Sequence, residues 1–260
     1  MTKQSLYYEQ VVPVSAQRHR DWALEHRTDF EFAGHSNFVP LAAVEFPAAA
    51  AEYAIVFAGS EGAVNPVAIL GLKSDENLYL DEKNSWDAKY IPAFVRRYPF
   101  VFSKNEDASK FTLCIDEKYQ GWNQDGRGKN LFDSNGERTE YLKNTLNFVQ
   151  SYQRDFIRTQ AFCRKLEALD LLTTMAARFK LPSGEKAQLT GFMAIDREKL
   201  AALPGDKLAE LAKSGELEMM YLHLQSLRNL ERVLLRNKAN ELGSDSWNEP
   251  TDNSSEKPMH

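Results

Sequence analysis

The stretch YAIVFAGSEGAVNPVAILGL, residues 53–72, decides how the first half of this chain folds. It contains two runs of β-branched, aromatic and aliphatic residues, 53–57 and 66–72, a composition that favours strands. The segment Gly59-Ser60-Glu61-Gly62 between them is typical of a turn. Neither run alternates apolar with polar residues, which indicates burial on both faces. We therefore predict a β-hairpin that is covered from both sides.

Three shorter apolar runs predict further strands in the first half. The run 11–14 contains Pro13, which has no N–H to donate to a neighbouring strand, and this favours a position at a sheet edge. The runs 77–80 and 111–115 predict a short third strand and a fourth strand. The first half therefore reads mainly as strands and loops.

From residue 137 the spacing of apolar residues changes from that of strands to that of helices. Apolar residues three and four positions apart predict one long helix over 137–169 and another over 216–240. Between these helices, the segments 171–179 and 187–195 flank the turn-forming sequence Pro182-Ser183-Gly184-Glu185. A second hairpin is therefore predicted between the two helices.

These elements together predict an α+β fold. We expect a mixed or antiparallel sheet, built from the N-terminal half and the 171–195 hairpin and packed by the two long helices of the C-terminal half. Residues 1–242 would form a single domain. Residues 243–260 are rich in Ser, Asn, Asp, Glu and Pro and poor in apolar residues, so a disordered tail is expected there.

Composition restricts the class of protein. The 260 residues carry a net charge of −5, with 37 acidic and 32 basic side chains, and no Lys/Arg-rich run is present. This argues against nucleic-acid binding, which requires a basic surface. The apolar runs are too short for a signal peptide or a membrane span, and two cysteines provide no disulfide framework. A soluble cytoplasmic protein with no membrane insertion is expected.

Several stretches carry a family resemblance. The most specific are Gly71-Leu72, Asn77-Leu78-Tyr79, Trp86, and Tyr90-Ile91-Pro92-Ala93-Phe94-Val95-Arg96-Arg97-Tyr98-Pro99-Phe100. Upstream, Val39-Pro40-Leu41 and Glu45 fit the same pattern, as do Gly191-Phe192 and His223-Leu224 downstream. Over roughly residues 5–236 the chain resembles the SapC family of bacterial proteins. Ala54 departs from the family pattern, which has a proline before Ile55-Val56-Phe57.

The resemblance implies a biological context and says little about the chemistry of the protein. Such proteins occur in Gram-negative bacteria, often encoded near outer-membrane TonB-dependent receptors and flavin-dependent halogenase-like proteins. The family offers no catalytic motif to transfer and implies no cofactor. We therefore expect a non-catalytic accessory or binding protein, which recognises a protein encoded nearby, a peptide or a small molecule. The alternatives are an enzyme that modifies a peptide or small molecule, and an oligomeric scaffold whose oligomeric state the sequence leaves open.

The richest group of chemically useful side chains lies within the resemblance. Trp86, Tyr90, Arg96, Arg97 and Tyr98 could form a ligand site in which aromatic rings stack on the ligand and an arginine binds an anion. The same side chains also have a purely structural interpretation. Aromatic residues pack cores, and arginines near the C-terminus of a short helix complement the helix dipole.

Other motifs match known sites only in part. The segment 121–128, GWNQDGRG, has two glycines at phosphate-loop spacing but lacks the Lys and Ser/Thr that follow them in such loops. The segment 133–136 suggests a calcium loop, yet leucines occupy the first and last ligand positions. A solvated loop and a β-turn are the expected structures, and no metal site is predicted.

The sequence contains candidate catalytic side chains, but it does not identify the additional residues that a catalytic site would require. His19 and Asp21 have the His-x-Asp spacing of some iron sites, but a second histidine cannot be assigned. Cys114 and Cys163 fall within apolar patterns that indicate burial. The enzyme alternative would require a cleft with shifted pKa values, for instance at His35 or His223. No catalytic residue is therefore predicted.

Overall fold

A computed structural model describes residues 6–104, 111–180 and 186–245. The strands of this part of the chain are β1 Val11–Pro13, β2 Ala23–Leu24, β3 Phe38–Pro40, β4 Ile55–Ala58, β5 Asn65–Ile69, β6 Phe100–Lys104, β7 Phe111–Asp116, β8 Trp122–Asn123, β9 Lys129–Asn130, β10 Leu172–Lys180 and β11 Lys186–Ile195. Its α-helices are α1 Ala16–His19, α2 Phe46–Ala49, α3 Ala93–Arg96, α4 Glu140–Ala168, α5 Arg197–Ala201, α6 Gly205–Ser214, α7 Glu216–Ser226 and α8 Leu230–Asp245.

The strands form antiparallel sheets, which confirms the α+β class. The largest sheet has the order β10-β11-β4-β5-β3, and two smaller sheets have the orders β1-β7-β6 and β8-β2-β9. Strands β10 and β11 form the predicted second hairpin, and Met193 joins it to the sheet by pairing with Phe57 of β4. The strands that we expected in one sheet are divided among three: β3 pairs with β5, whereas β7 pairs with β6 and β1.

The hairpin at residues 53–72 forms as predicted. Strands β4 and β5 pair antiparallel, with Ile55 opposite Ala68 and Phe57 opposite Pro66. Consecutive strand residues point to opposite faces of a sheet, and Ile55, Val56 and Phe57 are all 0% exposed. The hairpin is therefore buried on both faces, which explains why its apolar residues do not alternate with polar ones.

Helix α4 links two hydrophobic clusters. Leu142 and Val149, in its first half, pack with Phe100 and Ile115 of the β1-β7-β6 sheet. From Tyr152 onward it packs into the larger cluster around the five-stranded sheet, through Tyr152, Phe162, Cys163 and Leu166. The predicted long helix over 137–169 is thus confirmed, and it carries apolar contacts to both sheets.

The N-terminus of α4 is capped by Thr139. The Thr139 Oγ1 atom accepts a hydrogen bond from the N–H of Leu142 at 3.3 Å, and its hydroxyl donates to the carbonyl of Asn130 at 2.7 Å. These bonds satisfy one of the free N–H groups of the first helical turn and tie the helix to β9.

Replacement of Thr139 with alanine should lower the free energy of unfolding by about 1 kcal/mol, because the first turn loses its cap. Thr139→Ser keeps the hydroxyl and should lose much less. Urea denaturation followed by circular dichroism measures both. Equal losses in the two variants would show that the methyl group, and not the cap, carries the effect.

The predicted strand at 77–80 is wrong. Residues 78 and 79 form a turn, and Leu80 makes only an isolated bridge with Trp86. The cause is the buried side chain of Asn77, whose Oδ1 accepts from the N–H of Tyr79 at 2.9 Å while its Nδ2 donates to the carbonyl of Ala33 at 3.0 Å. This local side-chain bond replaces the strand pairing that the apolar composition suggested.

The predicted helix over 216–240 is interrupted. Helix α7 is followed by a 3₁₀ turn at Leu227–Asn229, and α8 begins at Leu230. Two buried polar side chains flank the break: Ser226 Oγ accepts from the N–H of Ile55 at 3.0 Å, and Asn229 Nδ2 donates to the carbonyls of Ala50 and Tyr53. At this interruption the two side chains satisfy backbone groups of the segment 50–55, which leads into β4.

Two predictions fall partly or wholly outside the described residues. The turn of the second hairpin, 182–185, lies outside them, as do residues 246–260 of the predicted tail. Helix α8 extends to Asp245, three residues into the segment predicted as tail. In the part of the chain that is described, no helix combines the length and the apolar character needed to cross a bilayer.

Candidate functional site

Three of the five predicted site residues line one groove. Arg96, Arg97 and Tyr98, at the end of α3 and just after it, form one wall. The floor and the opposite wall come from β6 and the first half of α4, and are formed by Phe100, Tyr141, Asn144, Thr145 and Phe148. The groove has a volume of about 340 Å³. It lies between α3 and α4, at the boundary between the two hydrophobic clusters.

Arg96 presents a fixed, exposed positive charge at this groove. Its Nε donates to the carbonyl of Ile91 at 2.9 Å, which holds the guanidinium in place. The guanidinium carbon lies 5.7 Å from the ring centroid of Tyr90 and 5.2 Å from that of Phe148, so two rings flank the cation. Among the residues that the structure describes, no carboxylate oxygen lies within 4.0 Å of the Arg96 nitrogens.

Arg97 is a buried cation, with only 2% of its surface exposed. Its guanidinium carbon lies 4.3 Å from the ring centroid of Phe94, 4.8 Å from that of Tyr152 and 5.9 Å from that of Tyr8. Burial raises the pKa of the Tyr8 hydroxyl to about 12, and the positive charge of Arg97 opposes this rise. Arg97 therefore packs the wall of the groove from behind and adds positive potential there.

Tyr98 belongs to an aromatic cluster behind the groove. Its ring stacks on Phe32 with centroids 4.2 Å apart, and its hydroxyl donates to Asp116 Oδ2 at 3.2 Å. Burial and the neighbouring Asp116 carboxylate raise the pKa of this hydroxyl above its usual value. Tyr98 is therefore a neutral, anchored wall residue.

Trp86 and Tyr90 do not line the groove. The Trp86 Nε1 donates to the Tyr53 hydroxyl at 2.7 Å, and its ring packs on Phe30. The Tyr90 hydroxyl donates to Glu45 Oε1 at 2.7 Å, and Tyr90 reaches the site only through its ring, which lies over Arg96. Two of the five predicted residues therefore hold the loop before α3, and the other three line the groove.

Glu45 anchors Tyr90 and the start of α3, a role that we did not predict from the sequence. It is 5% exposed and accepts three hydrogen bonds: from the Tyr90 hydroxyl, from the N–H of Ala93 at 2.7 Å and from the N–H of Ala42 at 2.8 Å. Burial raises the pKa of this carboxyl group above its usual value. A single carboxylate in an otherwise apolar segment, 38–46, is the signal that could have identified it, because a buried charge requires partners.

The glycine-rich segment 121–128 is a strand–turn–strand and not a phosphate loop. It leads from β8 to β9, and Arg127 is engaged by Asp125 and Glu25. Gly128 has a φ of +95°, and a Cβ there would lie 2.1 Å from the carbonyl oxygen of Leu24. The glycine is thus needed for close packing against β2.

The segment 133–136 is the expected turn. The Oδ1 atom of Asp133 accepts from the N–H groups of Asn135 and Glu137, both at 2.9 Å. Across the described ranges, no group of three or more His, Cys, Asp or Glu side chains is arranged to hold a metal ion.

The cysteines and histidines have structural environments. Cys114 and Cys163 are buried, and burial raises the pKa of both thiols, that of Cys163 to about 12. His19 is 0% exposed, accepts from the N–H of Ser15 through Nδ1 at 3.2 Å and donates through Nε2 to Glu117 at 2.9 Å. None of these side chains lies in the groove, and neither thiol is activated as a nucleophile.

His223 connects two strands of the large sheet. Its Nδ1 donates to the carbonyl of Ile55 at 2.9 Å, and its Nε2 accepts from the N–H of Ile195 at 3.1 Å. Burial lowers the pKa of His223 to about 4. His35, in contrast, is 84% exposed beside Asp75. The shifted pKa at His223 thus occurs inside the core, and His223 does not line the groove.

Comparison with known proteins places the chain in a family. No curated protein and no solved structure matches it. The SapC family model matches residues 14–233, a span that includes the residues lining the groove and the five predicted site residues. With most of its length covered by this match, the chain belongs to the SapC family.

Proposed function

We propose that this SapC-family protein is a non-catalytic binding protein, accessory to bacterial envelope or TonB-dependent uptake systems, and that its ligand site is the groove between α3 and α4. The observation that carries the proposal is the exposed guanidinium of Arg96, held between two aromatic rings at the mouth of a cavity of about 340 Å³. Ligand sites combine apolar walls with a few fixed polar groups in this way.

The chemistry of the lining residues favours binding over catalysis. The groove is lined by two arginines, an asparagine, a threonine and four aromatic residues, none of which is a histidine, a cysteine or a carboxylate. General acid–base and nucleophilic catalysis rely on such groups placed within hydrogen-bond reach of each other. Burial raises the pKa of the two lining tyrosines, Tyr98 and Tyr141, so neither is a good base near neutral pH, and the arrangement favours holding and orienting a ligand.

The envelope and uptake setting rests on the family membership alone and is part of the proposal. We also propose that the protein works in the cytoplasm, which is supported by two free cysteines, Cys114 and Cys163, that form no disulfide. A ligand or partner available in that compartment would then reach the groove directly.

Filling the groove tests the proposal. Asn144 and Lys143 are adjacent exposed residues of α4, and only Asn144 lines the groove. We expect Asn144→Trp to remove a ligand or partner that co-purifies with the wild type, because the indole occupies the cavity. Lys143→Trp is the matched control and should retain it.

Native mass spectrometry of protein purified gently from its own bacterium provides the measurement. An excess mass or a bound protein present in the wild type and in Lys143→Trp, but absent from Asn144→Trp, supports the groove as the site. Equal retention in all three proteins, or a bare chain in all three, contradicts it.

A further inference from the structure

We propose that the groove between α3 and α4 recognises a carboxylate attached to an aromatic group, either as a free aromatic acid or as the C-terminal residue of a peptide. This inference rests on the proposed binding function and specifies its ligand class. It is drawn from the geometry of Arg96, from the composition of the opposite wall and from the size of the cavity.

Arg96 has the geometry of a carboxylate receptor. Its Nε is already used by the carbonyl of Ile91, so the guanidinium cannot rotate freely and its terminal Nη groups form the remaining edge. Arg96 also interacts with the Tyr90 hydroxyl, where its charge opposes the burial-driven rise of that pKa. A planar fork of N–H donors matches the two oxygens of a carboxylate, and charge-assisted bonds of this kind are about twice as strong as neutral ones.

The charge balance favours a singly charged anion. Arg96 is the exposed cation of the lining, while Arg97 is 2% exposed and packs against the rings of Phe94 and Tyr152. A phosphate group carries nearly two charges and three acceptor oxygens, which are normally met by several cations or by the N–H groups of a long helix. One accessible guanidinium matches a carboxylate better.

The rest of the groove selects an aromatic group. Phe100, Tyr141 and Phe148 line it, and the Phe148 ring also lies 5.2 Å from the Arg96 guanidinium carbon. A ligand whose carboxylate binds Arg96 therefore places the adjoining group against these rings, where edge or offset stacking adds to apolar burial. The volume of about 340 Å³ lies at the small end of ligand cavities, about 300–1,000 Å³, and one ring with its carboxylate fits it.

Two matched probes test the ligand class: N-acetylphenylalanine, and its amide, which has the same shape without the charge. Binding is measured by titration of backbone NMR signals. Fragments of this size bind weakly, so we expect dissociation constants near about 1 mM. The acid should bind at least about tenfold more tightly than the amide, because only the acid makes charge-assisted bonds to Arg96.

Variants assign this preference to Arg96. Arg96→Gln should bind acid and amide equally, and Arg96→Lys, which keeps the charge but loses the fork, should retain part of the preference. Arg158→Gln is the matched control, since Arg158 is an 81%-exposed arginine of α4 that does not line the groove. It should keep the full preference.

Two further measurements distinguish a peptide C-terminus from a free aromatic acid and test the preference for a carboxylate. A short peptide that ends in phenylalanine should bind more tightly than N-acetylphenylalanine if the natural ligand is a peptide C-terminus, and no more tightly if it is a free aromatic acid. Inorganic phosphate should not compete. Competition by phosphate, equal binding of acid and amide, or absence of binding up to about 10 mM overturns the inference.

These outcomes differ from failure of the proposed function. A native ligand that Asn144→Trp excludes, together with equal binding of acid and amide, would leave the groove as the site and reject only the ligand class.

Discussion

Asp116→Asn is expected to lower the free energy of unfolding by about 3 kcal/mol or more, because the new NH₂ group would face buried hydrogen-bond donors that now bind a carboxylate oxygen. The Asp116 side chain is 0% exposed and is saturated as an acceptor. Its Oδ1 accepts from the N–H groups of Gln10 at 2.9 Å and Lys118 at 3.0 Å, and its Oδ2 accepts from the N–H of Glu9 at 2.9 Å and from the Tyr98 hydroxyl.

An asparagine at this position must point its amide group at one of these donor pairs. Whichever pair it faces loses its acceptor, and Asp116→Ala removes all four bonds. The bonds from Glu9 and Gln10 hold the N-terminal segment, 6–10, against the domain, where Tyr7 is 8% exposed. We therefore expect this segment to lose protection from amide hydrogen exchange before the rest of the molecule unfolds.

Urea denaturation measures the stability loss, with Asp133→Asn as the control. Asp133 also accepts two backbone N–H groups through one oxygen, but it lies in an exposed turn where water can replace the lost bonds. Its loss should stay below about 1 kcal/mol. A similar loss in both variants would mean that burial of Asp116 contributes nothing.

The sequence predicted an element correctly when the residues of that element alone determine its structure. The β4–β5 hairpin and α4 were predicted because their apolar period and their length reflect burial directly. The predictions of a strand at 77–80 and of one continuous helix over 216–240 were wrong, because a few polar side chains determine the local structure there. Asn77 bonds to Ala33, and Asn229 bonds to Ala50 and Tyr53, across 44 to 179 residues of chain.

The same distinction applies to the site. Arg96, Arg97 and Tyr98 could be proposed from sequence because two arginines and a tyrosine occupy consecutive positions within the stretch that carries the family resemblance. Their partners could not, since Phe148 of α4 lies 52 residues beyond Arg96 and nothing in the sequence relates the two. Trp86 and Tyr90 were chosen for the same chemistry, but their polar groups are taken by Tyr53 and Glu45.

His223 makes the stability of the fold depend on pH between about 6.5 and about 4. The pKa of His223 falls from 6.5 to about 4 on folding because burial disfavours the imidazolium. Within that range the unfolded chain binds a proton at His223 and the folded chain does not, so stability falls as pH falls. The difference corresponds to about 3 kcal/mol, fully present above pH 6.5 and lost by about pH 4.

The physical cause is that imidazolium cannot make both strand contacts. Neutral His223 donates to the carbonyl of Ile55 and accepts from the N–H of Ile195, whereas the protonated ring would set a second N–H donor against the Ile195 N–H.

Carboxylates also titrate in this range, so the contribution of His223 must be obtained by difference. His223→Gln offers a donor and an acceptor that do not titrate, and its unfolding free energy should fall less steeply between pH 6.5 and 4 than that of the wild type. His35→Gln, at a surface position, should follow the wild-type profile. Parallel wild-type and His223→Gln profiles would show that the fold accommodates imidazolium, and that the link between β4 and β11 does not depend on the neutral ring.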